Sequence, residues 1–160
     1  MENIYNAETG CCPEFDPTGW DESEQTWTKK FAKDNIKAIM HIPLNFGQVA
    51  GRIWNKILDS KAYTEKPPLF LCDESSAWKT QLMIETAADV PDAEMTTISG
   101  TFLTKVFDGS YKEVPKWYKQ MTEYVKSQGK QTEKIYVYYT TCPKCAAHYG
   151  HNYTVLLAKV

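Results

Sequence analysis

Ile36 to Leu44 is the first run dominated by apolar, β-leaning residues, and it predicts a strand that Pro43 stops or confines to a sheet edge. The spacing then changes period. Phe46, Val49, Ile53 and Ile57 recur every three or four residues, Trp54 and Leu58 widen that face, and Asn45 stands before it as an N-cap candidate, so a helix is expected from Asn45 to Ser60. Polar Thr64 to Lys66 and the Pro67-Pro68 pair end it. Leu69 to Cys72 reads as a short strand, Asp73 to Ser76 as a turn, Trp78 to Thr86 as the return strand, and Asp89 to Asp92 as a linker.

The same order then starts again. Glu94 to Phe107 is a long β-prone segment, and Asp108-Gly109-Ser110 turns into a second helix over Glu113 to Gln128. Val114, Trp117, Met121 and Val125 mark its buried face, with Pro115 in the first turn and Gly129 at the C-terminal cap. Ile135 to Thr141 and Asn152 to Val160 are the last two strands. The expected class is therefore α+β: two tandem strand-helix-strand-strand repeats forming an antiparallel sheet with two helices on one face. Repeat one covers about 36–88 and repeat two about 94–160 of a single domain, 36–160. Residues 1–35 read as an irregular leader, with loops and at most one short strand, packed on the domain through Trp20 and Trp27.

Composition narrows the function classes. With 160 residues the chain is long enough to bury a core. Charged residues make up 24% and the net charge is -2, with Lys and Arg scattered, so no nucleic-acid partner is expected. No apolar run approaches the ~20 residues of a membrane helix, and the polar, acidic start is unlike a secretory signal; no membrane partner and a cytoplasmic location are expected. Five cysteines, an odd number, argue against a disulfide framework. There is no G-x-S-x-G, no H-E-x-x-H and no phosphate-cradling glycine loop, which disfavours acyl transfer and nucleotide hydrolysis.

Two sets of residues carry candidate chemistry. Cys142-x-x-Cys145 has the spacing with which two thiolates meet one Zn²⁺, and Cys11, Cys12 or both are expected to join it in a structural site that ties the leader to the last hairpin. His148 and His151 are substitute ligands. Free thiols in a surface turn are the alternative. A dithiol redox motif is disfavoured because it needs a helix N-terminus, and only Ala146 to His151 separate the pair from the next strand. The second set comes from period-two alternation. If Leu82, Ile84, Ile135 and Val137 face the helices, Glu85, Tyr136 and Tyr138 face the open side, where a carboxylate among rings suits an amphipathic cation or serves as an acid or base. Trp78 and Glu94 join this ligand-binding set. The alternative is a solvated sheet face, where Tyr is favoured in any case.

The segment Ser99-Gly100-Thr101-Phe102-Leu103-Thr104-Lys105-Val106-Phe107-Asp108-Gly109-Ser110-Tyr111, a strand ending at G-x-Y before an amphipathic helix, resembles the GyrI-like family (bacterial effector-binding, SOUL-related). The element order resembles that family over Ile36 to Val160. The leader and the Cys142-Pro143-Lys144-Cys145 insert are similar to a CxxC-containing bacterial subgroup often labelled hydrolase. The resemblance implies a small-molecule-binding protein with a groove on the open sheet face, taking an amphipathic or apolar ligand. It also implies, as an alternative, a hydrolase working with a groove carboxylate and tyrosines. A zinc-stapled interaction protein is the third reading, and association into a homodimer stays open.

Overall fold

The computed structural model describes residues 4–160; residues 1–3 of the expected leader lie outside them. In chain order it holds β1 (Ser23–Ile39), β2 (Ile42–Pro43), α1 (Phe46–Asp59), β3 (Phe70–Asp73), β4 (Lys79–Thr86), β5 (Glu94–Asp108), α2 (Val114–Ser127), β6 (Lys134–Tyr139), α3 (Pro143–Tyr149) and β7 (Tyr153–Lys159). The protein is α+β, its strands pair antiparallel, and strand-helix-strand-strand occurs twice. Among the described residues, no helix is long and apolar enough to cross a membrane. The chain forms two compact units: Thr28–Ser99, and the leader through Trp27 together with Gly100–Val160.

In the first unit the strands lie in the order β2-β1-β4-β3. β1 and β4 run in register from Lys30 opposite Thr86 to Lys37 opposite Lys79, and β3 places Phe70 opposite Ile84. Residues directly opposite in an antiparallel pair share a face. Ala32, Ile36, Leu82, Ile84 and Phe70 therefore share one face, and α1 packs there through Val49, Ile53, Trp54 and Ile57, with the Trp54 and Phe70 rings 6.2 Å apart. Asn45 precedes α1 as expected but does not cap it with its side chain; its Oδ1 accepts the Lys37 N–H at 3.1 Å.

Two expectations need correction here. The first strand does not begin at Ile36: Ser23 to Asn35, read as irregular leader, is already strand, so the irregular stretch ends at Glu22. Its alternation was masked because the positions between Trp27, Phe31 and Ile36 are mostly Thr, Lys and Asp, acceptable on an outer face. Nor does the strand run unbroken to Leu44. Met40 and His41 adopt φ of 50° and 67° and fold β1 back onto β2 in a two-residue hairpin. Such turns are usually built with Asn or Gly, so Met-His gave no turn signal.

In the second unit the order is β6-β7-β5. Val137 pairs with Leu156, which pairs with Lys105; Tyr139 pairs with Thr154, which pairs with Phe107. That face meets α2: Phe107 stacks on Trp117 at 5.2 Å, and the Lys105 ammonium sits 5.4 Å from the Tyr124 ring centre. Thr154 to Ala158 are all buried, so β7 is covered on both sides. Pro115 starts α2, and Gly129, with φ 72°, follows its end.

Candidate functional site

The short helix α3 was not legible as a helix, and it decides where the cysteines go. Pro143 pre-sets its first turn, and Gly150 in the left-handed region (φ 78°) ends it, so seven residues hold a helical shape between β6 and β7. Cys142 occupies the N-cap and Cys145 lies one turn on, fully buried. The ground on which a helix-borne dithiol was disfavoured, the lack of a helix, therefore does not hold.

The leader brings its own pair to this turn. A turn closed by Gly10 N–H on the Ala7 carbonyl (2.9 Å) presents Cys11 and Cys12. The Tyr149 hydroxyl donates to the Cys12 carbonyl at 2.7 Å, and the Cys142 N–H donates to Cys12 Sγ at 3.4 Å. Thr9 Oγ1 lies 3.1 Å from Cys145 Sγ, and the Cys11 and Cys12 sulfurs are 3.6 Å apart. All four Sγ atoms lie within 4.8 Å of one another. Tetrahedral zinc with Zn–S near 2.3 Å sets its sulfurs roughly 3.8 Å apart, so this set fits one such ion after a small contraction. His148 and His151 stay outside it: His148 Nε2 lies 3.2 Å from Glu8, and His151 Nδ1 3.4 Å from Asp108.

Four thiols this close cannot all ionise without a cation. Burial pushes the Cys12 thiol far up, and burial together with nearby Cys142 and Cys145 pushes Cys11 up. Burial acts on Cys145 in the same direction, but hydrogen bonds from Thr9, the Cys12 N–H and the Cys142 and Cys12 thiols outweigh it and bring Cys145 down to about 7. The Cys145 thiolate is favoured while Cys11 and Cys12 are held towards the neutral thiol; a divalent ion is what would let all four act as ligands.

The other candidate residues divide between the units. In the first, Glu85 pairs with Phe31 across β4 and β1, on the face turned from α1. Its Oε1 meets Lys29 Nζ at 2.7 Å, its Oε2 accepts the Leu69 N–H at 3.2 Å, and its side chain is 12% exposed. Glu94 meets Lys33 at 3.4 Å, and Trp78 is exposed. In the second unit Tyr136 and Tyr138 share the face turned from α2, but that face is not open. Phe15 and Trp20 of the leader reach the Tyr138 ring, each at 5.8 Å, Trp27 stacks on Phe102 at 4.2 Å, and both tyrosines are buried. The leader's aromatic content was the only sequence signal for this cover; nothing in the sequence singled out Thr9, Tyr149 or Lys29. A depression bordered by Glu14, Thr141, His151 and Tyr153 has a cavity volume near 10 Å³, about one water's worth.

A family model described as bacterial hydrolase matches residues 2–160. The chain belongs to that family. No curated protein matches it. Solved structures share the fold of this bacterial hydrolase family member at low identity. A structure of SAV2435 bound to tetraphenylphosphonium is 13% identical with a TM-score of 0.55, covering 86% of this chain and 92% of that one. A hydrolase from Listeria innocua is 11% identical with a TM-score of 0.59, covering 87% and 92%. The EcmrR chain of an EcmrR–DNA complex is 11% identical with a TM-score of 0.58, covering 86% of this chain and 58% of that one.

Proposed function

We propose that this member of the bacterial hydrolase family is a small-molecule-binding protein of the GyrI-like type, with an amphipathic or apolar ligand, and that Cys11, Cys12, Cys142 and Cys145 hold a structural zinc. The ligand half of this reading is supported by the fold shared with a protein that binds tetraphenylphosphonium. The zinc half is supported by the clustering of four sulfurs drawn from two distant parts of the sequence. Four thiolates fill a tetrahedral ion's coordination and leave no position for water, so the metal's work is to fix the leader. Domain 36–160 is the binding body, and the leader is its cover. Glu85, Trp78 and Glu94 of the first unit are the ligand residues, with Glu85 exchanging Lys29 for a cationic ligand; Tyr136 and Tyr138 of the second, buried beneath the leader, stay out of it. Titration calorimetry with tetraphenylphosphonium tests it: wild type binds, and Glu85→Gln and Trp78→Ala bind about tenfold more weakly, a loss of roughly 1.4 kcal/mol each. Metal analysis of protein purified without added zinc should return about one ion per chain; no heat of binding, or no metal, removes the corresponding half.

Family membership favours a second reading, a hydrolase with Glu85 or Glu94 as its acid or base. Turnover of a hydrolysable substrate that disappears in Glu85→Gln while calorimetric binding persists would move it to the front.

A further inference from the structure

The hairpin of the first unit carries an apolar surface that, Trp78 apart, neither reading uses. Ile39, Met40, Ile42 and Leu44 are each between 52% and 66% exposed. Trp78, 66% exposed, adjoins them: its carbonyl accepts the Ala38 N–H at 2.9 Å, and the neighbouring Ala77 carbonyl accepts the His41 N–H at 2.9 Å. Ile39 and Ile42 are directly opposite and share a face, and Leu44 donates its N–H to the Lys37 carbonyl on the same face at 2.9 Å. Such a concentration of large apolar side chains at one tip marks an interaction site more often than it occurs by chance.

Three observations say what covers it. Lys37 and Lys79 stand directly opposite one another across β1 and β4, both exposed, and neither forms an ion pair with a carboxylate among the described residues. Like charges directly opposite oppose sheet pairing, so this pair gains from an anionic partner. The acidic residues nearest in the chain are engaged elsewhere: Asp34 meets Arg52 at 2.7 Å, and Asp73 and Glu74 are buried. The turn holds Met40 outward at φ 50°, a conformation that costs a non-glycine residue free energy, and the His41 ring is fixed by Nδ1 on the Glu74 carbonyl at 2.8 Å. Finally, the tip is a projecting two-residue turn. Apolar side chains beside a basic pair are what an anionic lipid interface takes; a strand added at the β2 edge would use main-chain hydrogen bonds and would not depend on Lys37 and Lys79.

We propose that the β1–β2 hairpin is a peripheral membrane anchor: Ile39, Met40, Ile42, Leu44 and Trp78 enter the headgroup region of an anionic bilayer, and Lys37 and Lys79 meet its phosphates and carboxylates. The absence of a spanning helix does not bear on surface docking of this kind, which combines buried apolar area with attraction to anionic lipid. The net charge of -2 does not oppose it, because screening over roughly 8–10 Å lets the local lysines dominate. It is independent of the zinc reading and shares only Trp78 with the ligand reading; Lys37, Lys79, Met40 and Ile42, on which its test turns, lie outside the ligand set.

The test is vesicle co-sedimentation of the full chain with phosphatidylcholine alone and with phosphatidylcholine containing phosphatidylserine, with tryptophan emission read in parallel. Binding is expected only with phosphatidylserine, with a blue shift that is lost in Trp78→Phe. Each lysine near an anionic surface contributes about fivefold, so Lys37→Gln with Lys79→Gln should weaken binding about 30-fold, and Met40→Ser with Ile42→Ser should abolish it. All four changes are at exposed positions, and unchanged thermal unfolding shows that the variants fold. Binding that ignores the lysines or occurs equally on both vesicles overturns the proposal, as does no binding. A concentration-dependent dimer that Met40→Ser with Ile42→Ser returns to monomer, without vesicle binding, assigns the tip to a second copy and likewise overturns it.

Discussion

In the first unit the strand face turned from α1 sets ion pairs, Glu85 on Lys29 and Lys33 on Glu94, beside the buried apolar Phe31, Leu71 and Met83. In the second unit the face turned from α2 carries rings: Tyr136 and Tyr138 lie beneath Phe15 and Trp20. The helix sides are alike, each an amphipathic helix on a row of buried apolar side chains. The same supersecondary order has thus been completed in two chemically different ways. An exposed pair such as Lys33–Glu94 contributes little, commonly under ~1 kcal/mol, whereas the largely buried Glu85 can give up Lys29 only to another cation. Aromatic contacts add roughly 0.5–1.5 kcal/mol each beyond their buried area, and here a cysteine cluster pins the segment that supplies them. The first unit is accordingly the adaptable one and the second the fixed one.

The largest effect expected from this contrast is at the metal. Cys142→Ser, or chelation, should empty the site and remove a term on the order of 10 kcal/mol of metal-binding free energy. Limited proteolysis should then cut the leader between Thr9 and Glu22 while Thr28–Ser99 stays resistant. A leader that resists cleavage in the metal-free protein breaks the contrast. Next come paired core truncations, Leu156→Ala in the second unit and Leu82→Ala in the first, both fully buried. Each should cost about 2–5 kcal/mol in urea unfolding, because the helix-side cores are equivalent even though the opposite faces are not. Trp20→Ala, which loses ring contacts to Phe15 and Tyr138, should cost roughly 1–3 kcal/mol and raise the exposure of Tyr138 to nitration. Its counterpart Lys33→Met, at a pair whose Glu94 side chain is 66% exposed, should change stability by about 1 kcal/mol or less, read from the same urea curves.

The smallest effect is acid sensitivity at Asp34. Burial would raise its pKa, but the Arg52 hydrogen bond, the Asn35 N–H and the charges of Arg52 and Lys56 outweigh it and hold it below the ordinary carboxylate value. A depressed carboxylate stabilises the fold fully above its unfolded pKa, near ~3.9, and that contribution is lost as pH falls through the lower folded value. Asp34→Asn should lower stability slightly at neutral pH and flatten the acid limb, the two curves converging as pH falls below the folded value; a deficit that persists undiminished at the lowest pH would refute the assignment.

The repeated order, both long helices and the faces of β4 and β6 could be read from the sequence, because apolar period is a local property that burial enforces. Val49, Ile53 and Ile57 on α1, and Val114, Trp117, Met121 and Val125 on α2, lie buried where their spacing put them. The Cys-x-x-Cys spacing identified Cys142 and Cys145 as a pair and left open whether one or both leader cysteines join them; the structure brings both. Three things needed the tertiary structure. Ser23 to Asn35 is strand because β4 and other strands supply hydrogen-bond partners to a polar sequence with weak propensity of its own. The turn at Met40 and His41 exists because strand pairing on either side outweighs the cost of two positive φ angles. The leader lies on the Tyr138 face because Thr9, Phe15 and Trp20 find partners more than eighty residues away in sequence, and contacts at that separation leave no periodic trace in the chain. Local pattern determined which elements form and which side each buries; long-range contact alone decided what covers the side left over.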